Sequence, residues 1–453
     1  MIINGLGKDN NEKGKNGKGK RGKGINEVIT RWCPNLETVC FLALLNYYSI
    51  IKKKLGFTSE EIDIKFVDVF DAYKKHQKLQ DSPTIPKTYT TAFFNIAHFK
   101  KGGKRWDQHG RAENQGKRGC TISSLCVVLE EYNFLKDLPY LENLIMAVAE
   151  NDINGRGISF STTNNLRELL NGLNALYPDD PSKVASWGLL AFCGIFELLK
   201  SKPENSLILP YDESTSRKVN KILSETPKDI FSPDVFTKGV ELYLKNNIKN
   251  ETDRQQELKI FSMLTSQAGD KLKTEWEKAV QAVKKAEEEG YTKKMTVEGV
   301  ELKIISVKSD SIKTSAAGRA KGYRVVIQVP EDKSGRYQIF TSKVKNGGQT
   351  YQIDLGNLSA RLRYYETVYA RKKIRSGQNW SQTGYILFDD GTFVPGYLPE
   401  FRTTILYTSL SSKNAPKSKI GLNVLMQVIS TELSNCLLIE DNRINQPVNK
   451  LVA

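Results

Sequence analysis

The chain has 453 residues, 39% of them hydrophobic and 26% charged, and its 67 Lys and Arg against 51 Asp and Glu give a net charge of +16. That length exceeds one ordinary hydrophobic core and implies two or three domains. Six cysteines without C-x-x-C spacing and only three histidines exclude a disulfide framework, a zinc knuckle and a His-rich metal site. Apolar runs shorter than the roughly 18 residues of a membrane helix point to a cytoplasmic protein with no membrane partner.

Residues 1–24 hold seven basic and two acidic side chains among Gly and Asn, and read as a disordered basic tail. Removing its +5 leaves +11 on the body, so nucleic acid or nucleotides are the expected partners; Lys-rich composition for solubility is the plainer account. Residues 25–162 read as an α/β domain. Val28, Ile29 and Thr30 form a short β-type run, Cys33-Pro34-Asn35 a turn, and 36–54 an apolar helix. Strands follow at 62–69 and 88–97, then the basic glycine loop 100–105, then helices at 121–131 and 138–152. Strands alternating with helices predict a parallel sheet, and a strand–turn–helix sets its turn where such sheets bind ligands.

Residues 163–290 are dominated by helical periodicity. The stretch 187–199 is strongly apolar, and 271–289 is an Ala/Glu/Lys helix closed by Gly290. From 291 to 453 the texture changes to an α+β domain. Strands are expected at 300–307, 323–329, 337–342 and 384–388, and helices at 355–373 and 421–433.

Three short segments carry the chemistry: Thr30-Arg31-Trp32-Cys33-Pro34-Asn35-Leu36-Glu37, Trp106-Asp107-Gln108-His109-Gly110 and Asn151-Asp152-Ile153. In order and spacing they resemble the motifs of the DHH superfamily of metal-dependent phosphoesterases. The resemblance implies a Rossmann-like parallel-sheet N-terminal domain and a C-terminal α+β domain that closes the site. Such enzymes hold two divalent cations about 3.5–4 Å apart, one on each side of the phosphoryl transfer. Carried over position by position, Arg31 stands for the His of the first motif, Asn35 for its first Asp and Glu37 for its second. The second motif falls near Asn95. Asp107, Gln108 and His109 stand for the D-H-H, and Asp152 for the late Asp.

The replacements agree with one another. A guanidinium cannot ligate a cation, and two carboxylates have become amides beside it. One Mn²⁺ or Mg²⁺ held by Glu37, Asn95, His109 and Asp152 is what the resemblance leaves, or no metal at all. Arg31 and Asp107 then take catalytic positions, with Gln108 in place of a phosphate-contacting His. Each residue also has a plainer account: an Arg31–Glu37 ion pair, Asn35 as part of a turn, His109 beside Gly110 as another, and Asp152 as a helix-terminal residue.

The predicted helix 355–373 interleaves Arg361, Arg363, Arg371, Lys372 and Lys373 with Tyr364, Tyr365 and Tyr369, a pattern suited to single-stranded nucleic acid. Its plainer account is a helix with buried tyrosines and a solvated basic face. Segments 315–319 and 346–349 supply glycine and polar or basic residues for substrate. The expectation is a diverged DHH-like protein with a degraded two-metal site that binds nucleic acid or nucleotides as a pseudoenzyme or scaffold. The alternatives are a one-metal phosphoesterase or nuclease, and a protein-interaction module.

Overall fold

The computed structural model describes residues 24–58, 62–67, 91–94, 104–106, 124–125, 128, 136–154, 165–201, 231–332, 335, 337–346, 348–372, 385–387, 393–395, 399–400, 404–406, 417–434 and 438–440. The chain divides into two compact units, 1–111 with 120–272 and 112–119 with 273–453. It is a mixed α/β protein. The expected tail 1–24 lies outside the described residues except for Gly24.

The first unit is built on a four-stranded sheet of β1 (Glu27–Arg31), β2 (Asp63–Val67), β3 (Thr91–Phe94) and β4 (Lys104–Trp106). The strand order is β2-β1-β3-β4 and every pairing is parallel. Thr30 pairs in register with Phe66 on one side and Phe94 on the other. Its buried hydroxyl adds a 3.0 Å bond to the carbonyl of Phe94. The last two residues of the expected basic loop 100–105, with Trp106, are thus strand.

The turn after β1 leads into α1 (Leu36–Tyr47), followed by α2 (Ser49–Leu55). Residues Leu36 to Leu45 of α1 are all buried, as a helix apolar on every side must be. Phe41 stacks on Phe94 of the sheet at 3.9 Å. Around α1 stand α3 (Glu142–Asn154), α4 (Leu166–Leu176) and α5 (Pro181–Ser201), with α6 (Pro233–Asn247) packed on α5. The helical stretch up to 272 therefore belongs to the same unit as the sheet.

Helix α5 is long and apolar enough to cross a membrane, yet 78% of its apolar window is buried in the unit. Its Gly194 meets Gly239 of α6 so closely that a Cβ on Gly239 would lie 2.4 Å from the Gly194 carbonyl oxygen. Trp187 stacks on Phe261 of α7 (Glu251–Glu288) and donates from Nε1 to Thr265 Oγ1 at 3.0 Å. Helix α7 begins twenty residues before the expected 271, because the buried stripe Phe261, Leu264, Ala268 and Leu272 is narrow among polar neighbours. The compact units divide within it, between 272 and 273, whereas the expected boundary at 290 falls just beyond its end.

The second unit holds a six-stranded mixed sheet of order β13-β14-β8-β7-β6-β5. Its strands are β5 (Thr292–Val297), β6 (Val300–Lys308), β7 (Val325–Val329), β8 (Gln338–Thr341), β13 (Pro399–Glu400) and β14 (Thr404–Leu406). Only β6 and β7 are parallel, joined across α8 (Thr314–Ala320). Smaller sheets comprise β9 (Val344–Asn346), β10 (Gln349–Ile353) and β15 (Leu438–Glu440), and the pair β11 (Tyr385–Leu387) and β12 (Phe393–Pro395).

Alternation along β7 explains the two cores. Val325, Ile327 and Val329 cluster with Leu358 and Leu362 of α9 (Gly356–Ala370) and Leu425 and Ile429 of α10 (Leu422–Ser434). Val326 clusters instead with Ala279, Val283 and Ala286 of α7 and Ala317 of α8. The two expected substrate segments each hold a glycine with a structural duty. Gly318 sits in α8 with no room for a Cβ, which would meet Val326 Cγ2 at 2.7 Å, and Gly348, at φ +83°, forms the turn between β9 and β10.

Gly239→Ala should lower the stability of the first unit by about 1–3 kcal/mol, the ordinary cost of overpacking a well-packed contact. Denaturant titration followed by far-UV dichroism measures it; an unchanged midpoint would contradict the close crossing of α5 and α6.

Candidate functional site

Because the first sheet is wholly parallel, the carboxyl ends of its strands lie along one edge. From β1 the chain passes to β2 on one side and then crosses to β3 on the other. The strand order therefore reverses between β1 and β3, the place where open α/β sheets bind ligands. Arg31 is the last residue of β1 and is half-buried. Asn95 follows the last residue of β3 in the sequence, and Asp107 the last of β4. Asn95, Asp107, Gln108 and His109 themselves lie outside the described residues.

The turn 32–35 is held from three directions. The Trp32 backbone N–H donates to the Val67 carbonyl at 2.8 Å, and its indole Nε1 donates to the Pro178 carbonyl at 2.8 Å. Asn174 Nδ2 of α4 donates to the Pro34 carbonyl at 3.0 Å. Asn35 then caps α1, its Oδ1 accepting from the Thr38 N–H at 3.0 Å. This matches the plainer account of Asn35, a turn residue that starts a helix.

Glu37 is 1% exposed. Its Oε1 accepts from the Leu125 N–H at 2.7 Å, and it sits in the first turn of α1, where the helix dipole favours a negative charge. Burial first, then the Glu37 charge, pushes the Cys40 thiol well above its ordinary range. Asp152 lies in α3, which packs against α1.

The described donors do not make a metal site. Arg31 carries a fixed positive charge, the Asn35 oxygen is engaged by an amide, and Glu37 is buried with one oxygen committed to another amide. Among the described residues, no group of three or more His, Cys, Asp and Glu is placed to hold an ion.

The basic and aromatic candidates belong to α9 and its C-cap in the second unit. Arg361 and Lys372 are exposed, and so are Tyr364 at 57% and Tyr369 at 46%. Arg363 differs: it is half-buried, its guanidinium donates to Ser359 Oγ at 3.0 Å, and burial lowers its pKa. Arg371 caps the helix in the left-handed region at φ +52°. Lys373 lies outside the described residues.

A polar network around the buried Glu197 and Cys193 of the first unit went unread in the sequence. Tyr47 donates to Glu197 Oε1 at 2.6 Å and Asn246 Nδ2 donates to Glu197 Oε2 at 3.1 Å. Tyr140 donates to the Tyr48 hydroxyl at 3.3 Å, and Cys193 bonds with Tyr243 and Asn46. The available signal was Glu197 itself, the lone acid in the apolar run 187–199. Burial pushes the Cys193 thiol up to about 12 from an ordinary 9.0, against the opposing pull of its two hydrogen bonds. Tyr47, Tyr48 and Tyr243 are raised as well, each by burial first.

No family model matches this chain, and no curated protein does either. Among solved structures, the chain is similar to an uncharacterized protein from Helicobacter pylori G27, at 9% identity, over 91% of this chain and 98% of that one, with a TM-score of 0.23. A likeness at that score carries no argument about fold or function.

Two outcomes are expected. Glu37→Gln should destabilise the first unit by about 1–3 kcal/mol through the weakened amide contact, and by the same amount with or without EDTA; a loss seen only in untreated protein would make Glu37 a metal ligand. The raised thiol and phenols predict alkaline sensitivity. Between about pH 9 and 12 the unfolded chain gives up protons that the folded chain keeps, so stability is complete below about pH 9 and falls as pH rises. Thermal midpoints measured from pH 8 to 11 should show that fall, with a shallower slope for Cys193→Ala.

Proposed function

We propose that this chain is a diverged DHH-type protein that binds the phosphate of a nucleotide or nucleic acid at the carboxyl edge of its parallel sheet, with little or no hydrolysis. The observation that carries this reading is the placement of Arg31 at the end of β1, beside the reversal of strand order between β1 and β3. In a two-metal phosphoesterase the same position would hold a cation ligand. Here it carries the positive charge itself, on a planar fork suited to a phosphate's oxygens.

The surroundings support binding over turnover. Asn35 and Glu37 serve the folding of α1 through Thr38 and Leu125, so neither adds a free carboxylate to the edge. The turn between Arg31 and α1 is pinned by Val67, Pro178 and Asn174, which fixes the backbone just after Arg31. The net charge of +16 favours polyanion encounter without specifying a partner.

Arg31→Gln should weaken binding of a nucleoside triphosphate or short oligonucleotide about ten- to a hundredfold, the worth of a lost charge-assisted bond, with an unchanged thermal midpoint. Calorimetric titration measures both. Robust Mn²⁺-dependent phosphodiester hydrolysis that disappears in Asp152→Ala would overturn the proposal in favour of an active one-metal enzyme.

A further inference from the structure

We propose that the exposed stripe of α9 and its C-cap is a stacking site for single-stranded nucleic acid. This rests on the polyanion reading above and assigns it a second contact surface. Residues Arg361, Tyr364, Tyr365, Val368, Tyr369 and Lys372 recur at helical spacing along one face. The adjoining face carries Leu358, Ser359, Leu362 and Glu366, all buried. Apart from Tyr365, the stripe is exposed.

Its composition departs from that of an ordinary solvated face. Tyr364, Val368 and Tyr369 are 57%, 49% and 46% exposed, three large apolar side chains in a row on one helix. The tyrosines form a connected run, with Tyr364 and Tyr365 ring centroids 5.7 Å apart and Tyr365 and Tyr369 6.3 Å apart. Tyr365 packs partly against the core and so braces the two exposed rings. Cations flank the run. Arg361 lies 5.9 Å from the Tyr364 ring centroid and is paired through Nε with Glu432 of α10, which leaves its terminal nitrogens for other acceptors. Arg371 and Lys372 stand exposed at the other end. The separation along the axis from Arg361 to Arg371 is about 15 Å, enough for a few nucleotides. Rings for bases between cations for phosphates are the two elements of single-strand binding.

The backbone at Arg371 is an independent observation. Its N–H donates to the Thr367 and Val368 carbonyls in a left-handed cap at φ +52°, a position that glycine fills without strain. An arginine there accepts backbone strain that glycine would avoid, at the end of the helix that carries the tyrosines. A cap alone would be better served by glycine; a cap that also meets phosphate would not.

The test uses the full chain and a fluorescently labelled oligo-dT 20-mer, with anisotropy read at several salt concentrations and an unlabelled duplex of equal length as competitor. Tyr364→Ala with Tyr369→Ala should weaken binding about ten- to a hundredfold, from loss of stacking on both rings, with the salt dependence and thermal midpoint unchanged. Arg371→Gly should leave the thermal midpoint equal or higher, weaken binding about threefold and reduce the logarithmic salt slope by about 0.7, one phosphate contact. Undiminished binding by the double tyrosine variant would overturn the stripe as the site. If Arg31→Gln then abolished oligo-dT binding, the sheet-edge reading would survive on its own. A duplex that competes as well as the single strand would also overturn the proposal, since paired bases cannot stack on the rings.

Discussion

The first unit depends on enclosing α1. Ten consecutive residues, Leu36 to Leu45, are buried, so every side of the helix needs a neighbour. The sheet supplies one through Phe94, and α3, α4 and α5 supply the others. Each buried large apolar side chain contributes about 1.5–3 kcal/mol, but a fully enclosed helix leaves its polar groups no water. That condition explains the start of α1. Asn35 must satisfy an end amide, and the carboxylate of Glu37 must find a donor, which is the Leu125 N–H. The worn motif and the demands of the core therefore fall on the same residues. Arg31 is the member of the described set outside both duties, being on the strand rather than the helix.

Burial of polar groups recurs wherever elements meet. Glu197 accepts from Tyr47 and Asn246 in the first unit. In the second, Glu366 is 0% exposed and receives the Ser418 hydroxyl and the Lys419 N–H, which fixes the approach to α10. Gln328 and the Ser309, Ser311 and Thr314 side chains close the β6–α8 connection in the same way, with Ser311 donating to the Glu275 carbonyl at 2.7 Å. Removing one partner from such a set leaves the other unsatisfied, at about 1–3 kcal/mol. These carboxylates are strong structural groups, and their burial alone is no pointer to chemistry.

What was legible in the sequence follows from how much each element decides locally. β1, α1 and the strands at 62–69 and 88–97 were readable because β-branched and aromatic runs sit between turn residues, and the described strands fall inside them. The start of α7 was not readable, since one buried residue every three or four positions is thin evidence beside so many charges. β5 was missed for a related reason: its Lys293 and Lys294 face solvent on an edge strand, so its apolar alternation is incomplete. The glycines at 318 and 348 looked like ligand contacts because sequence cannot distinguish a glycine needed for helix–sheet contact or a left-handed turn from one that admits substrate. For the candidate site, the turn and helix start that hold Arg31, Asn35 and Glu37 were legible as a strand–turn–helix. That Glu37 is an internal acceptor was not, since its donor, the Leu125 N–H, lies 88 residues away and is met only through the enclosure of α1.

An arginine where a metal cradle of carboxylates and histidine would stand, as the proposed reading has it, alters what a sheet edge can do. A pair of divalent cations stabilises both the attacking and the leaving oxygen, which lowers the barrier to hydrolysis. A guanidinium offers directional donors and one fixed charge, which stabilise a bound phosphate and its transition state more nearly alike. Binding that does not distinguish the two gives affinity without rate. An edge of this kind suits holding a phosphate for longer than a hydrolase would. The proposed stacking stripe on α9 has the same bias, since rings and cations hold a strand without acting on it. In the proposed reading the net charge of +16 draws polyanions from a distance, and short-range features, the Arg31 edge and the tyrosine stripe, select among them.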